Sequence, residues 1–300
     1  MQMNDQYYAA VDSLVSEGPP DEGSPSVEPT FTLHNKMMRR SDLRNLPKFT
    51  WIYDGVLPTI GTGLLYGKPG SMKTFHVIDL MCRISTKKPF ANREFRPSAD
   101  RPVLYIPLEG VYGVNGRVSA WEEYNQTAVG DNFITLNHKF KFLKSVFGVI
   151  KPSDDFKALI RTIEAEPTHK RPIYIGVDTL SRAITGFDEN SASAMSEFVN
   201  MATELAEVTG GIVDTVHHSN KSGGARGSSA VPGGMDIVRE MINLSTSQKV
   251  KYQKVKEAQE PKPLMFEALT MRQSAVLNYT RDAAHAEQAT AGYGEERSMF

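Results

Sequence analysis

Cysteine is almost missing from this chain: Cys82 is the only one in 300 residues. No intrachain disulfide can form, and a reducing compartment is the natural setting. Long apolar runs are missing as well. Nothing approaches the ~18 consecutive apolar residues that a membrane helix needs, and the N-terminus has no basic segment followed by an apolar stretch, so neither a span nor a secretory leader is expected. The cytoplasm is the expected location. The first 35 positions contain no Lys or Arg but six acids, Asp5, Asp12, Glu17, Asp21, Glu22 and Glu28, and the last twenty carry a net −2. With a total of −1, the body between these ends stands at +7, a mild basicity that permits nucleic-acid binding without requiring it.

What is present begins with composition: 40% hydrophobic and 23% charged residues, in a chain long enough to bury a sizeable core. Residues 1–45, with Gly18-Pro19-Pro20-Asp21-Glu22-Gly23-Ser24-Pro25, lack apolar periodicity and read as a disordered acidic tail. Residues 46–280 read as one α/β domain and 281–300 as a flexible tail. From Trp51 onward, strand-like runs (Gly63–Tyr66, Val103–Leu108, Phe140–Ser145, Ile173–Val177, Ile212–His217) alternate with helical patterns, which predicts a mainly parallel sheet flanked by helices. The stripe Met195, Phe198, Val199, Ala202, Leu205 and Ala206 marks the core face of one helix. After His218 the pattern changes. A Gly/Ser-rich loop leads to Met241–Leu244, Val250–Val255, Leu264–Leu269 and Ala275–Tyr279, which predict a small antiparallel β extension, with Lys249, Lys251, Lys254 and Lys256 guarding an exposed edge.

The segment Gly67-Lys68-Pro69-Gly70-Ser71-Met72-Lys73-Thr74, followed by Phe75, has the length and ends of a phosphate-binding P-loop, G-x-x-x-x-G-K-[ST]. Backbone N–H groups turning inward, together with a helix N-terminus, form an anion site. Lys73 is placed to reach the β- and γ-phosphates of ATP, and Thr74 to hold Mg2+. Met72 stands where the second glycine belongs, and a side chain fits there if φ stays negative and the chain points away from the phosphate. Asp178 ends the apolar run Ile173–Val177, where a second metal-ordering carboxylate is needed. Glu109 follows Val103–Leu108, on the same sheet edge, and suits a water-activating group. His217-His218 does not read as a zinc site. Neighbouring strand residues face opposite sides, and no third ligand is suitably spaced. The loop that carries Lys221 and Arg226 is cationic and without apolar anchors, which suits a phosphate clamp or a contact with single-stranded DNA.

Taken in order, Val177-Asp178-Thr179-Leu180-Ser181-Arg182, Asp188-Glu189-Asn190, His217-His218-Ser219-Asn220-Lys221 and Arg226-Gly227-Ser228-Ser229-Ala230 resemble the RecA-like P-loop ATPases of the plasmid RepA replicative-helicase type, found in phages and mobile elements. The resemblance covers about residues 50–280. It implies an ATP-dependent DNA helicase or translocase in the bacterial or infected-host cytoplasm, working as a homo-hexameric ring on single-stranded DNA. Primase or other replication proteins would be its partners, since no primase-binding domain is visible. By position it implies Lys73 and Thr74 on ATP and Mg2+, Glu109 as catalytic carboxylate, Asp178 as second-strand aspartate and His218 as γ-phosphate sensor. A trans-acting cation is also implied, with Arg226, Arg239 or the pair Lys254/Lys256 as candidates. Two rivals share the core: a RecA-like recombinase or mediator, distinguished by filaments rather than rings, and a nucleotide-binding scaffold or loader, distinguished by binding without turnover.

Overall fold

The computed structural model describes residues 37–280 apart from 47 and 222, so the acidic stretch before 37 and the tail from 281 lie outside the described residues. The chain divides into a unit ending at Phe49 and one beginning at Thr50. In the first, within the expected tail, Arg40–Leu43 makes a single helical turn in which the Arg39 N–H donates to Asp42.

The second unit is organised by strands too apolar to leave either face in water. Its elements run β1 (Trp51–Tyr53), β2 (Leu57–Pro58), β3 (Gly61–Gly67), α1 (Lys73–Ser85), β4 (Val103–Pro107), α2 (Val114–Asn125), β5 (Phe133–Thr135), β6 (Leu143–Val146), β7 (Val149–Pro152), α3 (Asp154–Glu164), β8 (Tyr174–Asp178), α4 (Leu180–Ala183), α5 (Ala192–Thr209), β9 (Ile212–His218), α6 (Ala230–Gly234), β10 (Ile237–Asn243), β11 (Gln248–Val255), β12 (Leu264–Met271) and β13 (Ser274–Thr280). Every residue of β4 and of β8 is buried, the mark of parallel strands covered on both sides. Period-two alternation then divides the core. Leu64, Tyr66, Leu104 and Ile106 pack with α3 and α5 on one face, whereas Leu65, Val103 and Tyr105 pack with α1 and α2 on the other.

One nine-stranded sheet results, in the order β13-β12-β11-β10-β3-β9-β8-β4-β5. The neighbours from β10 to β5 are parallel, and β11, β12 and β13 extend the sheet antiparallel. This is the expected RecA-like architecture, with three differences in detail. The segment expected to be antiparallel from Met241 starts at Ile237 and lies parallel to β3. Its charged residue Arg239 is buried against Asp214, a pairing invisible to local pattern. Phe140–Ser145 is not a strand of the main sheet: Phe140 and Phe142 are buried in a connection that leads to the separate β6–β7 hairpin, and the edge position belongs to short β5. Lastly, β11 is no free edge where it starts, since it pairs with both β10 and β12 through Gln248 to Val250.

The hairpin turns through Phe147 and Gly148, with φ of 50° and 78°, which matches the right-handed twist of the flanking strands. The long helix α5 is bounded by its own residues: Ser191 accepts from the Ala194 N–H at its start, and Gly210 takes φ 59° at its end. Its stripe is core as expected, with Met195, Phe198, Ala202, Leu205 and Ala206 buried and Val199 partly so.

Candidate nucleotide site

Parallel strands deliver their loops to one edge of the sheet, the usual location of ligands in α/β folds. In register, Pro107 lies beside Asp178 and Gly67 beside His218, so the loops after β3, β4, β8 and β9 converge. The cavity they surround is lined by Gly70 to Phe75, Glu109, Arg117, Asp178, Thr179 and His218, among others. Sequence had named all of these as site residues except Arg117 and Thr179.

At the start of the P-loop Gly67 leaves no room for a side chain: a Cβ there would lie 2.4 Å from the Met241 carbonyl of β10 and 2.9 Å from Ser71 Oγ in the loop itself. Lys73, only 6% exposed, donates to the Gly67 and Lys68 carbonyls at 2.9 and 2.8 Å and to Ser71 Oγ at 3.3 Å. Burial lowers its pKa to about 8, partly opposed by Asp178. Met72 caps α1 with φ 68° and ψ 18°, which corrects the expectation of a negative φ. The loop keeps its left-handed turn, and the methionine occupies it while packing against the core.

Thr74 Oγ1 donates to Asp178 Oδ2 at 2.6 Å, and the Tyr105 hydroxyl donates to the same oxygen at 2.9 Å. Burial raises the Asp178 pKa and these two bonds oppose the rise. Hydroxyl and carboxylate oxygens side by side fit Mg2+, which takes few protein ligands and completes its shell with phosphate and water. Among the described residues no cluster of three His, Cys, Asp or Glu could bind a metal by itself. His218 faces the cavity with Nδ1 unpartnered, and burial followed by the Lys73 charge lowers its pKa. His217 is fully buried and bonds the Arg226 carbonyl through Nε2 at 2.9 Å, so the two histidines divide as the strand alternation requires.

Glu109 projects from the end of β4 and pairs with Arg182 at 2.9 Å, a partner that sequence did not assign. Arg117, also missed, lies over the Phe75 ring at 5.3 Å. From these two residues a second groove continues along Asn115, Gln273 and Ser274. Helix α2 has almost no amphipathic pattern, so no local signal marked Arg117.

The cations proposed for a partner's site do not line this cavity. Arg239 is corrected outright: it is 1% exposed, ion-paired with Asp214 and unreachable by a second subunit. Burial opposes its charge, but the Asp214 carboxylate overcomes this and holds the guanidinium above the ordinary arginine value. Arg226 is bound bidentately to Glu189 at 2.5 and 2.7 Å and to Ser181 at 2.9 Å. Lys254 donates to the Gly233 carbonyl at 2.9 Å, and Lys256 pairs with Asp236 at 3.2 Å. Lys221 is exposed.

Comparison with known proteins agrees with this geometry. No curated protein matches the chain. Among solved structures, one described as an ATPase domain is similar over 73% of this chain and 84% of that one, at 11% sequence identity and a TM-score of 0.52, which speaks for the fold. No helix among the described residues is long and apolar enough to cross a membrane. The sequence profile of a family described as an AAA domain matches residues 28–224, about two thirds of the chain. With its P-loop, second-strand aspartate and strand-end glutamate on one sheet edge, the chain belongs to this AAA-domain family of P-loop ATPases.

Proposed function

We propose that the chain is an ATP-dependent DNA helicase or translocase serving replication of a phage or mobile element, with hydrolysis at the subunit interfaces of a homo-oligomeric ring. The observation that carries this reading is the convergence of Lys73, Thr74, Asp178, Glu109 and His218 on one cavity at the C-terminal edge of the parallel sheet. Lys73 exchanges its carbonyl partners for phosphate oxygens and, with the loop amides, balances their charge. Thr74 and Asp178 hold Mg2+, which when bound neutralises charge on the phosphates. Glu109, once released from Arg182, orients a water molecule for attack on the γ-phosphorus. The bond from that phosphorus to the ADP oxygen breaks, and the water's proton passes toward the carboxylate. The groove of Phe75, Arg117 and Gln273 accepts the nucleoside. In this reading His218, which lines the cavity, senses the γ-phosphate and passes its presence to the loop that follows.

A trans-acting cation fits the open side of the cavity. With Arg239 buried, the remaining candidates are Arg226 and the Lys254/Lys256 pair. The test is phosphate release by the full chain with and without single-stranded DNA, on material of known mass in solution. DNA-stimulated hydrolysis that disappears in Lys73→Ala is expected, and normal turnover in that variant would sink the assignment.

A further inference from the structure

A cleft of about 600 Å³ opens next to the nucleotide cavity and shares Gly110 with it. Neighbouring residues of one segment divide between them, Leu108 lining the cleft and Glu109 the nucleotide cavity. Its wall is basic and aromatic, with Tyr112, His138, Lys139, Lys141 and Arg182, and no carboxylate of the described residues lines it. Asp155 engages His138 Nε2 at 3.2 Å and the Lys141 backbone N–H at 3.1 Å, whereas no ion pair among the described residues occupies the Lys139 or Lys141 ammonium. Tyr112 stands on a single 3-10 turn with 99% of its surface exposed. An aromatic ring left wholly in water beside such cations matches the way single strands are bound, with bases stacking on rings and phosphates lying along a cationic groove.

Arg182 links this cleft to the chemistry. Arg182 lines the cleft and at the same time donates from Nε to Glu109 Oε1 at 2.9 Å. That carboxylate oxygen, which also lies 3.4 Å from the Thr179 hydroxyl, is occupied by donors other than a water, and a phosphate diester arriving in the cleft competes for the same guanidinium.

We propose that the cleft binds a single strand of nucleic acid, with backbone phosphates on Lys139, Lys141 and Arg182 and a base on Tyr112, and that engaging Arg182 releases Glu109 for hydrolysis. This rests on the helicase-type reading above and moves the principal strand contact from the Arg226 loop, whose arginine is committed to Glu189, to the ends of β4 and β5. Both partners of the latch are largely exposed, so its effect on rate is limited to about fivefold.

The full chain carrying Lys139→Glu/Lys141→Glu, Tyr112→Ala or Arg182→Ala is compared with wild type, with fluorescein-labelled oligothymidylate as probe. Anisotropy is followed over a salt series, and ATP hydrolysis with and without the oligomer. The lysine reversal is expected to weaken binding at least tenfold and to flatten the salt slope by about 1.4 for two lost phosphate contacts, with an unchanged melting temperature. Tyr112→Ala should weaken binding with the slope preserved. Arg182→Ala should raise strand-free hydrolysis up to about fivefold and abolish further stimulation. Wild-type binding and stimulation that survive the lysine reversal would overturn this assignment alone. A wild-type chain that neither binds the oligomer nor responds to it would overturn the helicase reading, and this one with it. Equal competition by polyglutamate would overturn the nucleic-acid identity in favour of an acidic polypeptide.

Discussion

Replacing Arg239 with leucine removes the cation from a pair in which the arginine is 1% and the aspartate 0% exposed. Asp214 keeps one buried donor, the Tyr174 hydroxyl, and has no access to water. Leaving one buried charge uncompensated costs about 3–5 kcal/mol, a large share of the roughly 5–15 kcal/mol that holds a domain folded. For a unit of this size that corresponds to a fall in melting temperature of roughly 6–20 °C. Circular dichroism during heating measures it. A companion variant, Asp214→Leu/Arg239→Leu, should recover part of the loss, because the desolvation cost disappears with both charges. Hydrolysis supplies the discriminating measurement. A structural Arg239 predicts that activity per folded molecule survives at low temperature, and that mixing the variant with Lys73→Ala subunits gives no complementation. A variant that melts like wild type while losing hydrolysis would refute the reasoning and restore Arg239 as a cation offered to a partner.

Other consequences can be checked independently. Burial disfavours the charged form of Lys73 and lowers its pKa to about 8, and phosphate favours that form. Nucleotide affinity should therefore be full below pH 8 and fall above it, about tenfold between pH 7 and 9, in titrations with a fluorescent ATP analogue; a flat profile would contradict this. Met72→Gly relieves a left-handed residue worth about 1–2 kcal/mol but loosens the unfolded chain by about 0.4–1 kcal/mol and gives up partial core packing. The melting temperature should move by less than about 4 °C with unchanged nucleotide affinity, and a tenfold tighter complex would show that the side chain obstructs the site. Gly63→Ala brings a Cβ to 2.6 Å from Asp214 Oδ1 and should cost about 1–3 kcal/mol in chemical denaturation. Gly116→Ala, with open space on α2, should instead gain about 1 kcal/mol, and equal effects at the two glycines would refute the packing argument.

The parts of this molecule legible in the sequence are those written locally. Gly67 to Thr74, the apolar run ending at Asp178 and the strand before Glu109 each declare themselves within about ten residues. The parallel sheet follows from their alternation with helices. Long-range pairing was not legible. Arg239 reads as an available cation because its partner, Asp214, lies 25 positions earlier and meets it only through the fold. Arg226 and Glu189, 37 positions apart, gave no local hint of their bidentate bond. Strand β5 is only three residues long, and Phe140 to Ser145 alternates more convincingly, so pattern chose the wrong segment for the sheet edge. At Met72 the reverse happened: propensity argued against a positive φ, and the geometry of the loop prevailed.

The Arg226 clasp has a mechanical meaning. Its guanidinium joins Ser181, in the helix after β8, and Glu189, in the connection to α5, to the loop after β9, while Gly227 passes so close to the Glu189 carbonyl that a Cβ would lie 2.3 Å away. Two loops on adjacent strands are thereby stitched into a single paddle, and the backbone bond from the Arg226 N–H to the His218 carbonyl fixes that paddle to its shaft. A displacement at the end of β9 cannot be absorbed by one loop alone. Any shift at that strand end is shared by both loops, which are held as one stiff part and not as two separate fingers.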